Sequence, residues 1–393
     1  MKIIRYCDII LIMKKMNNLH KNLIVYIICL ITIFTLTGCK ESESRELIYF
    51  DEVFSITPYA CIYTNSSKEK YDTKRIKEEV DKCLSELDNK FNVNKEDSLI
   101  SKVNKDASNE RVEIDNEFAS VLNQALEVSR NVTSEYDVTI YPVTKVWDFK
   151  NKYFKNNNYE SIPDDSLITE AINSVGYENV IVTSEVINDV THYYVNFSNK
   201  DTLIDLGSIA KGYAADKVSE ILKGFNVNNG LINIGGNVYT FGDRLYKVGI
   251  TTPFYETLDS DTNMVGYVAC QGEDYTYVTS GTYERYIKTN DGKMYHHILS
   301  PSTGYPVDND LLSVTVIIKR DNEDLISTSA DALSTAIYTM GLDKGLEYVN
   351  KDDKLNCIFI TRDKHVIVSD GIKNIFVFNK AVEKYDYNYI CGE

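Results

Sequence analysis

Several residue types are scarce in this chain of 393 residues, and each scarcity narrows the class of protein that it can be. Only six prolines occur, and no Pro/Gly-rich linker splits the main part of the chain, which favours one compact unit. The eight cysteines form no CxxC pair, so neither a zinc site nor a disulfide framework is indicated. Acidic residues outnumber basic ones by 58 to 42, a net charge of −16. The phosphate backbone of nucleic acid binds to basic protein surfaces, so this acidic chain is not expected to have nucleic acid as a partner.

Long apolar runs are also absent, apart from residues 23–36. This run, LIVYIICLITIFTL, is shorter than the roughly 20 residues of a permanent membrane span, and Lys14, Lys15 and Lys21 precede it. A basic start followed by a short apolar core is typical of a secretory signal. We therefore expect residues 1–38 to be a cleaved signal peptide; a plain signal anchor is the alternative.

The apolar run ends in LTGC, residues 36–39, which resembles the lipobox of bacterial lipoproteins. In that motif the cysteine is lipidated and becomes the new N-terminus, so Cys39 is the predicted lipidation site. Its acyl chains would tether the protein to the extracytoplasmic face of the cell membrane. The polar sequence that follows predicts a linker over residues 39–46, and the remaining residues, 47–393, form the predicted domain.

Helical and strand patterns are mixed in that domain. Apolar residues recur at helical spacing over 72–91 and about 116–130, and the Asn/Lys-rich segment 151–166 predicts an exposed loop. Short runs rich in Val, Ile, Thr and Tyr predict strands, so the expected fold class is α+β with mostly antiparallel sheets and packed helices. The predicted strands are 178–183, 191–197, 230–234, 245–251, 264–270, 275–280, 283–288 and 312–319.

The stretch DLGSIAKGYAADK, residues 205–217, joins two patterns. The apolar run 202–206 predicts a strand, and a helical pattern follows with Lys211 and Gly212 in its first turn. A helix N-terminus offers free N–H groups and a partial positive charge, so this junction is a candidate anion site. A tight turn followed by a surface lysine is the alternative.

The stretch SADALSTAIYTMG, residues 329–341, predicts another helix, with Gly341 as its C-terminal cap. Asp331, Ser334 and Thr335 are three and four residues apart, which places them on one polar face beside a buried one. Three oxygen ligands in this arrangement suit a hard cation such as Mg²⁺. The alternative is an acid at the helix start with hydroxyls bonded back to the backbone.

Two adjacent histidines follow a predicted hairpin turn at residues 290–292. Neighbours in a strand face opposite sides, so we expect either His296 or His297 to lie in a site and the other in solvent. A hairpin edge with incidental histidines is the alternative.

Two further stretches can each be interpreted in two ways. The glycines of INIGGN, 232–237, permit close approach of a ligand or form a tight turn. The aromatic residues of 134–149 suit a flat ring or the core.

In this order, the motifs resemble those of the ApbE family, the FAD:protein FMN transferases, and the resemblance extends over roughly residues 46–378. The sequence departs from the family pattern at Ser300, where the family has Asp, at 134–137, which is SEYD in place of G-A-F-D, and at 55–57, which is SIT in place of M-G-T. The matching motifs are S-x-I-x-x-x-N at 98–104, D-x-G-x-x-x-K-G-y-x-x-D at 205–216, G-G-N at 235–237, S-G-x-Y-E-R at 280–285, H-I-I-D-P-x-T-G-x-P at 297–306, and A-D-A-x-x-T-A at 330–336.

The resemblance implies an ApbE-like fold and a Mg²⁺-dependent transferase with FAD as its substrate. FAD would be cleaved, FMN attached through a phosphoester bond to a Thr of a flavin-accepting protein, and AMP released. A lipoprotein that binds or hydrolyses FAD without a protein target is the alternative. A solute-binding lipoprotein would need two regular βαβ lobes, against which the strand pattern argues.

The resemblance also implies roles for individual residues. Lys211 and His297 are the implied catalytic groups, with His297 handling a proton near the transferred phosphate. The implied FAD contacts are Ser55, Glu135, Tyr136, Asp137, Asp205, Lys211 and Ile298. The candidate Mg²⁺ ligands are Asp331 and Thr335, with Ser208 or the carbonyl of Ala210 beside them, and Ser334 from the shared helix face.

Overall fold

A computed structural model describes residues 44–64, 70–152, 159–320 and 325–390 of the chain. The predicted signal peptide, Cys39 and residues 39–43 of the predicted linker lie outside these ranges. Residues 45–63 and 71–393 belong to one compact unit, which is the subject below. Of the other unit, residues 1–44 and 64–70, the structure describes only Ser44, Thr64 and Lys70. Within the described ranges no helix has the length and apolarity needed to cross a membrane.

A nine-stranded sheet is the largest element, and its order is β1-β2-β6-β7-β10-β13-β14-β15-β17. Neighbours from β2 to β15 are antiparallel, and β15 and β17 are parallel. The strands are β1 Ser44–Tyr49, β2 Tyr59–Thr64, β3 Val112–Ile114, β4 Val180–Ile187, β5 Val190–Phe197, β6 Gly230–Ile234, β7 Asn237–Phe241, β8 Tyr246–Thr251, β9 Met264–Cys270, β10 Tyr275–Gly281, β11 Tyr286–Lys288, β12 Met294–His296, β13 Leu311–Lys319, β14 Leu355–Thr361, β15 His365–Val368, β16 Phe376–Phe378 and β17 Asn388–Ile390.

Three smaller sheets and nine α-helices complete the described part of the chain. The smaller sheets are β11-β12, β16-β9-β8 and β3-β5-β4, so the α+β, mostly antiparallel prediction is confirmed. The helices are α1 Thr73–Phe91, α2 Leu99–Asp106, α3 Asn116–Asn131, α4 Tyr141–Trp147, α5 Phe149–Lys152, α6 Asp165–Ile172, α7 Ala210–Gly224, α8 Ile326–Met340 and α9 Leu342–Val349.

The main core lies between the large sheet and its helices. Helices α7 and α8 pack against each other, and α8 also packs on β10 and β13. Apolar side chains of α1, α3, α7 and α8 share this core with those of β2, β6 and β13. Because α7 and α8 are held between the sheet and other helices, the residues at their crossing have fixed positions.

Two segments differ from the sequence-based prediction at their ends. β1 begins at Ser44, so residues 44–46 of the predicted linker are strand. This strand lies at the edge of the sheet, where polar side chains face water without cost. The predicted loop 151–166 is wrong at both ends, because α5 includes Asn151 and Lys152 and α6 begins at Asp165.

The apolar run 202–206 is not a strand, which corrects the prediction. It makes one isolated parallel bridge, between Leu203 and Ile140. The side chain of Asn104 takes the place of a neighbouring strand: its amide donates to the carbonyl of Ile204 at 2.8 Å and its oxygen accepts from the N–H of Ile204 at 2.7 Å. The backbone groups of this buried segment are thus satisfied without a sheet.

Candidate active site

A cleft of about 360 Å³ opens where the N-terminus of α7 meets the middle of α8 and the loop after β12. Residues from segments far apart in the sequence line it, as the motif order suggested. Among the predicted contact and ligand residues, only Ser55 and Ser334 do not line this cleft. Those that do are Glu135, Tyr136, Asp137, Asp205, Ser208, Ala210, Lys211, His297, Ile298, Asp331 and Thr335.

Lys211 and Gly212 stand in the first turn of α7 for two separate physical reasons. Lys211 donates from Nζ to the carbonyl of Gly207 at 3.0 Å and lies 3.4 Å from Oδ1 of Asp331. Its ammonium group is therefore held at the helix mouth, where the positive end of the helix dipole also favours an anion. Gly212 is required by the helix crossing, because a Cβ at this position would lie 2.1 Å from the carbonyl oxygen of Ser327.

Asp331 joins the two helices at the floor of the cleft. Its side chain is almost fully buried, and Oδ2 accepts from the N–H of Gly212 at 2.8 Å. One carboxylate oxygen is thus tied to the backbone of α7, while the other faces the ammonium of Lys211. The predicted polar face of α8 is wrong in one respect: Asp331 and Ser334 are both buried, because α8 is covered on nearly every side.

Asp205 lies at the end of the segment that precedes α7. Its Oδ1 accepts from the N–H of Gly207 at 2.8 Å, which forms a tight turn before the helix. Burial raises the pKa of Asp205, while the Gly207 N–H and the charges of Lys211 and Arg285 act in the opposite direction. The carboxylate therefore has cationic neighbours on the side that faces the cleft.

Oxygen donors for a hard cation are grouped around Asp331. Thr335 follows it one turn along α8, and Ser208 and Ala210 line the same cleft from the mouth of α7. No three His, Cys, Asp or Glu side chains of the described residues are placed to hold a metal ion. Mg²⁺ is usually held by one or two carboxylates together with substrate phosphates, so this donor set fits Mg²⁺ only with a phosphate ligand beside it.

The charges on the cleft wall also favour a divalent cation bound together with a phosphate ligand. Five carboxylates and three cationic side chains line the cleft, so its wall has an excess of acidic groups. A diphosphate placed there needs additional positive charge, which a divalent cation supplies. The acidic groups are Glu135, Asp137, Asp205, Glu284 and Asp331, and the cationic groups are Lys150, Lys211 and Arg285.

Ser334 is a support rather than a ligand. Its hydroxyl is fully buried, donates to the carbonyl of Asp331 at 2.8 Å, and lies 2.8 Å from the hydroxyl of Ser280. Ser280 in turn lies 3.2 Å from the hydroxyl of Thr335. This chain of hydroxyls orients Thr335 toward the cleft. The geometry therefore corrects the assignment of Ser334 as a metal ligand, because helical spacing alone does not distinguish the cleft side of a helix from its packed side.

His297 faces the cleft and His296 does not. The Nδ1 of His297 is 3.1 Å from the carbonyl of Arg285, and since a carbonyl only accepts, Nδ1 carries the proton and Nε2 holds the lone pair. Burial lowers the pKa of His297 to about 3, with contributions from His296, Arg285 and Lys211. The imidazole is therefore neutral at neutral pH and able to accept a proton at Nε2.

His296 is buried on the other side of the strand rather than in solvent, which corrects the prediction for this pair. Its Nε2 donates to the carbonyl of Val307 at 3.0 Å, and Ile298 N donates to Nδ1 at 3.3 Å. Burial lowers the pKa of His296 to about 4. The predicted hairpin itself is confirmed, since β11 and β12 pair as antiparallel strands across residues 289–293.

Glu135 connects two loops of the cleft wall. Its carboxylate accepts from the hydroxyl of Ser300 at 2.9 Å and also from that of Ser302. Ser300 is the position at which the family pattern has Asp. In this chain the acidic group on this part of the wall comes from Glu135, and Ser300 donates to it.

Tyr136 and Asp137 are engaged with protein groups. The Tyr136 hydroxyl lies 3.0 Å from the hydroxyl of Ser208. Asp137 accepts from both the N–H and the hydroxyl of Thr139, at 2.8 and 2.6 Å, and from Tyr177 N at 2.8 Å. Burial raises the pKa of Asp137 against these hydrogen bonds. Asp137 therefore stabilises the loop that contains Glu135 and Tyr136.

Ser55 lies at an exposed turn rather than on the cleft wall. Phe54 and Ser55 both have positive φ, 51° and 63°, within a turn closed by the bridge of Val53 and Ile56. The flanking side chains of Phe54 and Ile56 line the cleft in place of Ser55. The motif alignment thus located the right turn but not the right side chain.

Several cleft residues were not predicted from the sequence. Ser280, Glu284 and Arg285 lie within the quoted S-G-x-Y-E-R motif, which was a sufficient signal for them, and aromatic rings also line the cleft. Trp147 belongs to the core instead, with its Nε1 donating to the carbonyl of Gly304 at 2.8 Å. The unpredicted lining residues include Phe54, Phe91, Tyr141, Phe149, Thr279, Ser280, Glu284 and Arg285.

Known proteins are similar to this chain in sequence and in fold. An FAD:protein FMN transferase of Klebsiella pneumoniae (strain 342) is 32% identical over 277 residues, which are 70% of this chain and 79% of that protein. The one of Treponema pallidum (strain Nichols) is 28% identical over 307 residues, 75% of this chain and 79% of that protein.

Solved structures of ApbE proteins are similar to this chain in fold. The crystal structure of the ApbE protein from Thermotoga maritima is 28% identical and superimposes with a TM-score of 0.68, over 84% of this chain and 99% of that one. The flavin transferase ApbE from Vibrio cholerae has the same fold, with a TM-score of 0.67 at 22% identity, over 84% of this chain and 100% of that one. A model of the ApbE family matches residues 51–359, a range that includes every residue of the cleft wall. The chain therefore belongs to the ApbE family.

Proposed function

We propose that this chain is an FAD:protein FMN transferase that attaches FMN to a Thr hydroxyl of an acceptor protein and releases AMP. The observation that carries the proposal is the convergence of three groups on one cleft. The ammonium of Lys211 stands at a helix N-terminus, the carboxylate of Asp331 lies beside it, and His297 presents a neutral nitrogen to the same space. The relatives in K. pneumoniae and T. pallidum are named FAD:protein FMN transferases, which supports the transfer of FMN to protein.

The residues divide the reaction between binding and proton transfer. The acceptor hydroxyl attacks the phosphorus on the FMN side of FAD, the bond between that phosphorus and the bridging oxygen breaks, and AMP leaves with the oxygen. Nε2 of His297 is placed to take the hydroxyl proton. Lys211 and the positive end of the α7 dipole offset the charge of the diphosphate. A nearby anionic diphosphate favours the charged imidazolium, so bound FAD would raise the low pKa of His297 and make it a stronger base.

We further propose that Mg²⁺ is required, held by Asp331 and Thr335 with Ser208 or the carbonyl of Ala210. When bound, the ion supplies charge neutralisation to the two phosphates. The support is the oxygen donor set and the acidic excess on the cleft wall. Ser280 and Ser334 keep Thr335 in place through their hydroxyls.

Lipid anchoring is the remaining part of the proposal. We infer from the LTGC sequence after the apolar run that Cys39 is the lipidated N-terminus, which would hold the domain outside the cytoplasm on the membrane surface. The acceptor would then be a protein whose Thr is exposed at the same membrane face.

Mass spectrometry tests the transfer. A candidate acceptor protein is incubated with FAD and the purified chain, with and without Mg²⁺, and the matched acceptor carries Val in place of its Thr. The expected result is an acceptor heavier by FMN less one water, in equal amount to the AMP released, only with Thr and Mg²⁺ present. Free FMN with an unmodified acceptor would identify the chain as an FAD hydrolase, in which water replaces the hydroxyl.

A further inference from the structure

Asp216 ends the motif that begins at Asp205, yet it does not line the cleft. It lies on α7, its side chain is 1% exposed, and no group of opposite charge pairs with it among the hydrogen bonds of the described residues. Buried carboxylates without a cationic partner are uncommon, because burying the charge has a large cost. A group kept at such a cost needs an explanation from its contacts.

The contacts of Asp216 are all at the start of α8, more than a hundred residues away in sequence. Oδ1 accepts from Ser327 N at 3.0 Å, and Oδ2 accepts from Thr328 N at 2.8 Å and from the Thr328 hydroxyl at 2.6 Å. These N–H groups have no partner within their own helix. The residue before α8, Leu325, makes no side-chain capping bond, so Asp216 performs this capping from α7.

A second connection runs in the opposite direction, one turn away on each helix. Asp331 of α8 accepts from the N–H of Gly212 on α7 at 2.8 Å. Each helix therefore supplies one carboxylate to backbone N–H groups of the other. Between these two connections the helices approach so closely that a Cβ on Gly212 would lie 2.1 Å from the Ser327 carbonyl oxygen.

We propose that Asp216 is a positioning residue for the active site: by capping α8 from α7, it sets the position of Asp331 relative to Lys211. The separation of 3.4 Å between these two side chains depends on how far α8 is shifted along α7. Without the cap, the hydrogen bond from Gly212 N to Asp331 is the one that remains of these two carboxylate connections between the packed helices. The proposal rests on the proposed function, because Lys211 and Asp331 are the groups that it aligns toward the diphosphate.

The test compares Asp216→Asn with Asp72→Ala, a matched control. Asp72 caps α1 by accepting from Arg75 N at 3.1 Å and is exposed, away from the cleft. Asp216→Asn loses one of its two acceptor oxygens and Asp72→Ala loses its cap, so both variants are expected to melt at lower temperature. FAD affinity is measured by quenching of flavin fluorescence, and transfer kinetics are measured well below both melting temperatures. Asp216→Asn is expected to lose about 10- to 100-fold in kcat/KM, mostly in kcat, and several-fold in FAD affinity. Asp72→Ala is expected to retain both values.

A double variant shows whether Asp216 acts through Asp331. Asp331 is the residue that Asp216 is proposed to position. Asp216→Asn should therefore weaken FAD binding much less in an Asp331→Asn background than in the wild type. Independent, additive losses would overturn the proposal, as would normal kinetics and affinity for folded Asp216→Asn. If Asp216→Asn does not fold, Thr328→Val removes only the hydroxyl bond to Oδ2, and unchanged FAD affinity in that variant would overturn it equally.

The binding measurement also separates this inference from the proposed function. If the wild type binds FAD and hydrolyses it without modifying any acceptor, FMN transfer to protein is refuted. The difference in FAD affinity between Asp216→Asn and Asp72→Ala then still decides whether Asp216 positions the binding site.

Discussion

The Nζ of Lys211 lies 3.4 Å from Oδ1 of Asp331, and the two side chains come from different helices, 120 residues apart. The lysine is about a quarter exposed and the aspartate is almost fully buried. The pair puts a cation and an anion side by side at a helix N-terminus. The lysine is therefore part of the cleft wall, and a solvent-facing lysine on the first turn of α7 is excluded.

Replacing Lys211 by Met should weaken FAD binding and turnover by about 10- to 100-fold, on the order of 1.4–2.8 kcal/mol. The charge, rather than the length, faces the diphosphate, so Lys211→Arg should lose less. Lys217→Met on the same helix is the control, because Lys217 pairs with Glu220 and does not line the cleft. Titration of FAD into the three variants measures the effect, and equal affinities for Lys211→Met and Lys217→Met would contradict it.

Asp331→Asn should abolish the response of transfer to Mg²⁺, since it removes the carboxylate of the proposed site. The amide keeps an oxygen for the Gly212 N–H, whereas Asp331→Ala leaves that buried donor unpaired at a cost of about 1–3 kcal/mol. The Ala variant should therefore unfold at lower temperature than the Asn variant. The control is Asp343→Asn, an exposed acid in the first turn of α9. A normal Mg²⁺ titration for Asp331→Asn would remove this residue from the metal site.

Gly212→Ala should destabilise the protein, although Ala is normally preferred to Gly inside a helix by up to about 1 kcal/mol. The added Cβ would lie 2.1 Å from the Ser327 carbonyl oxygen and 2.7 Å from the Cβ of Asp331. Overpacking of this kind costs about 1–3 kcal/mol and displaces α8, so FAD affinity should fall too. At Gly224, in the last turn of the same helix, a Cβ meets nothing within 4 Å. Gly224→Ala should be neutral or stabilising in urea unfolding, and similar free energies for the two variants would refute the crossing argument.

The acid side of the pH profile should show no titration of His297 near its ordinary pKa of 6.5, because burial lowers that pKa to about 3. Values of kcat/KM for FAD report ionisation of the free enzyme. Burial also raises the pKa of Asp216 to about 7, so the profile is measured in Asp216→Asn as well. An acid limb centred near 6.5 in both proteins would contradict the lowered pKa of His297.

Stability provides a second readout of the same shift. The pKa of His297 is lower in the folded than in the unfolded state, so the unfolded state binds more protons between about pH 3 and pH 6.5. His297 therefore costs stability as the pH falls through 6.5. Relative to wild type, His297→Gln should gain melting temperature on acidification from about pH 7 to about pH 4. If the difference in melting temperature between His297→Gln and the wild type stays constant over this pH range, the lowered pKa of His297 is contradicted.

Cys39→Ser should leave the precursor unprocessed or release the protein from the membrane fraction, because the lipidated thiol is lost. Cys29→Ser, within the apolar run of the same signal, is the matched control and should be processed normally. Fractionation of cells and the mass of the mature N-terminus measure both effects. Unchanged processing of Cys39→Ser would show that residues 1–38 act as a signal of another type.

Local patterns were enough for most of the secondary structure. The apolar stripe over 72–91 corresponds to α1 at Thr73–Phe91, and the run 264–270 coincides with β9. Such elements depend on side chains a few residues apart, which the sequence shows directly. The run 202–206 failed as a strand because Asn104, a hundred residues away, supplies its hydrogen bonds.

The sequence by itself determined the family, the α+β class and a set of site residues of which all but Ser55 and Ser334 line the cleft, because motif order and residue type are properties of the chain. Only the tertiary structure decided which side of α8 faces the cleft, and so separated Thr335 from Ser334. It likewise decided that Glu135 supplies the acid beside Ser300 and that Asp216 caps a distant helix. These relationships depend on how packed helices and loops meet across more than a hundred residues, and spacing along the chain carries no information about such contacts.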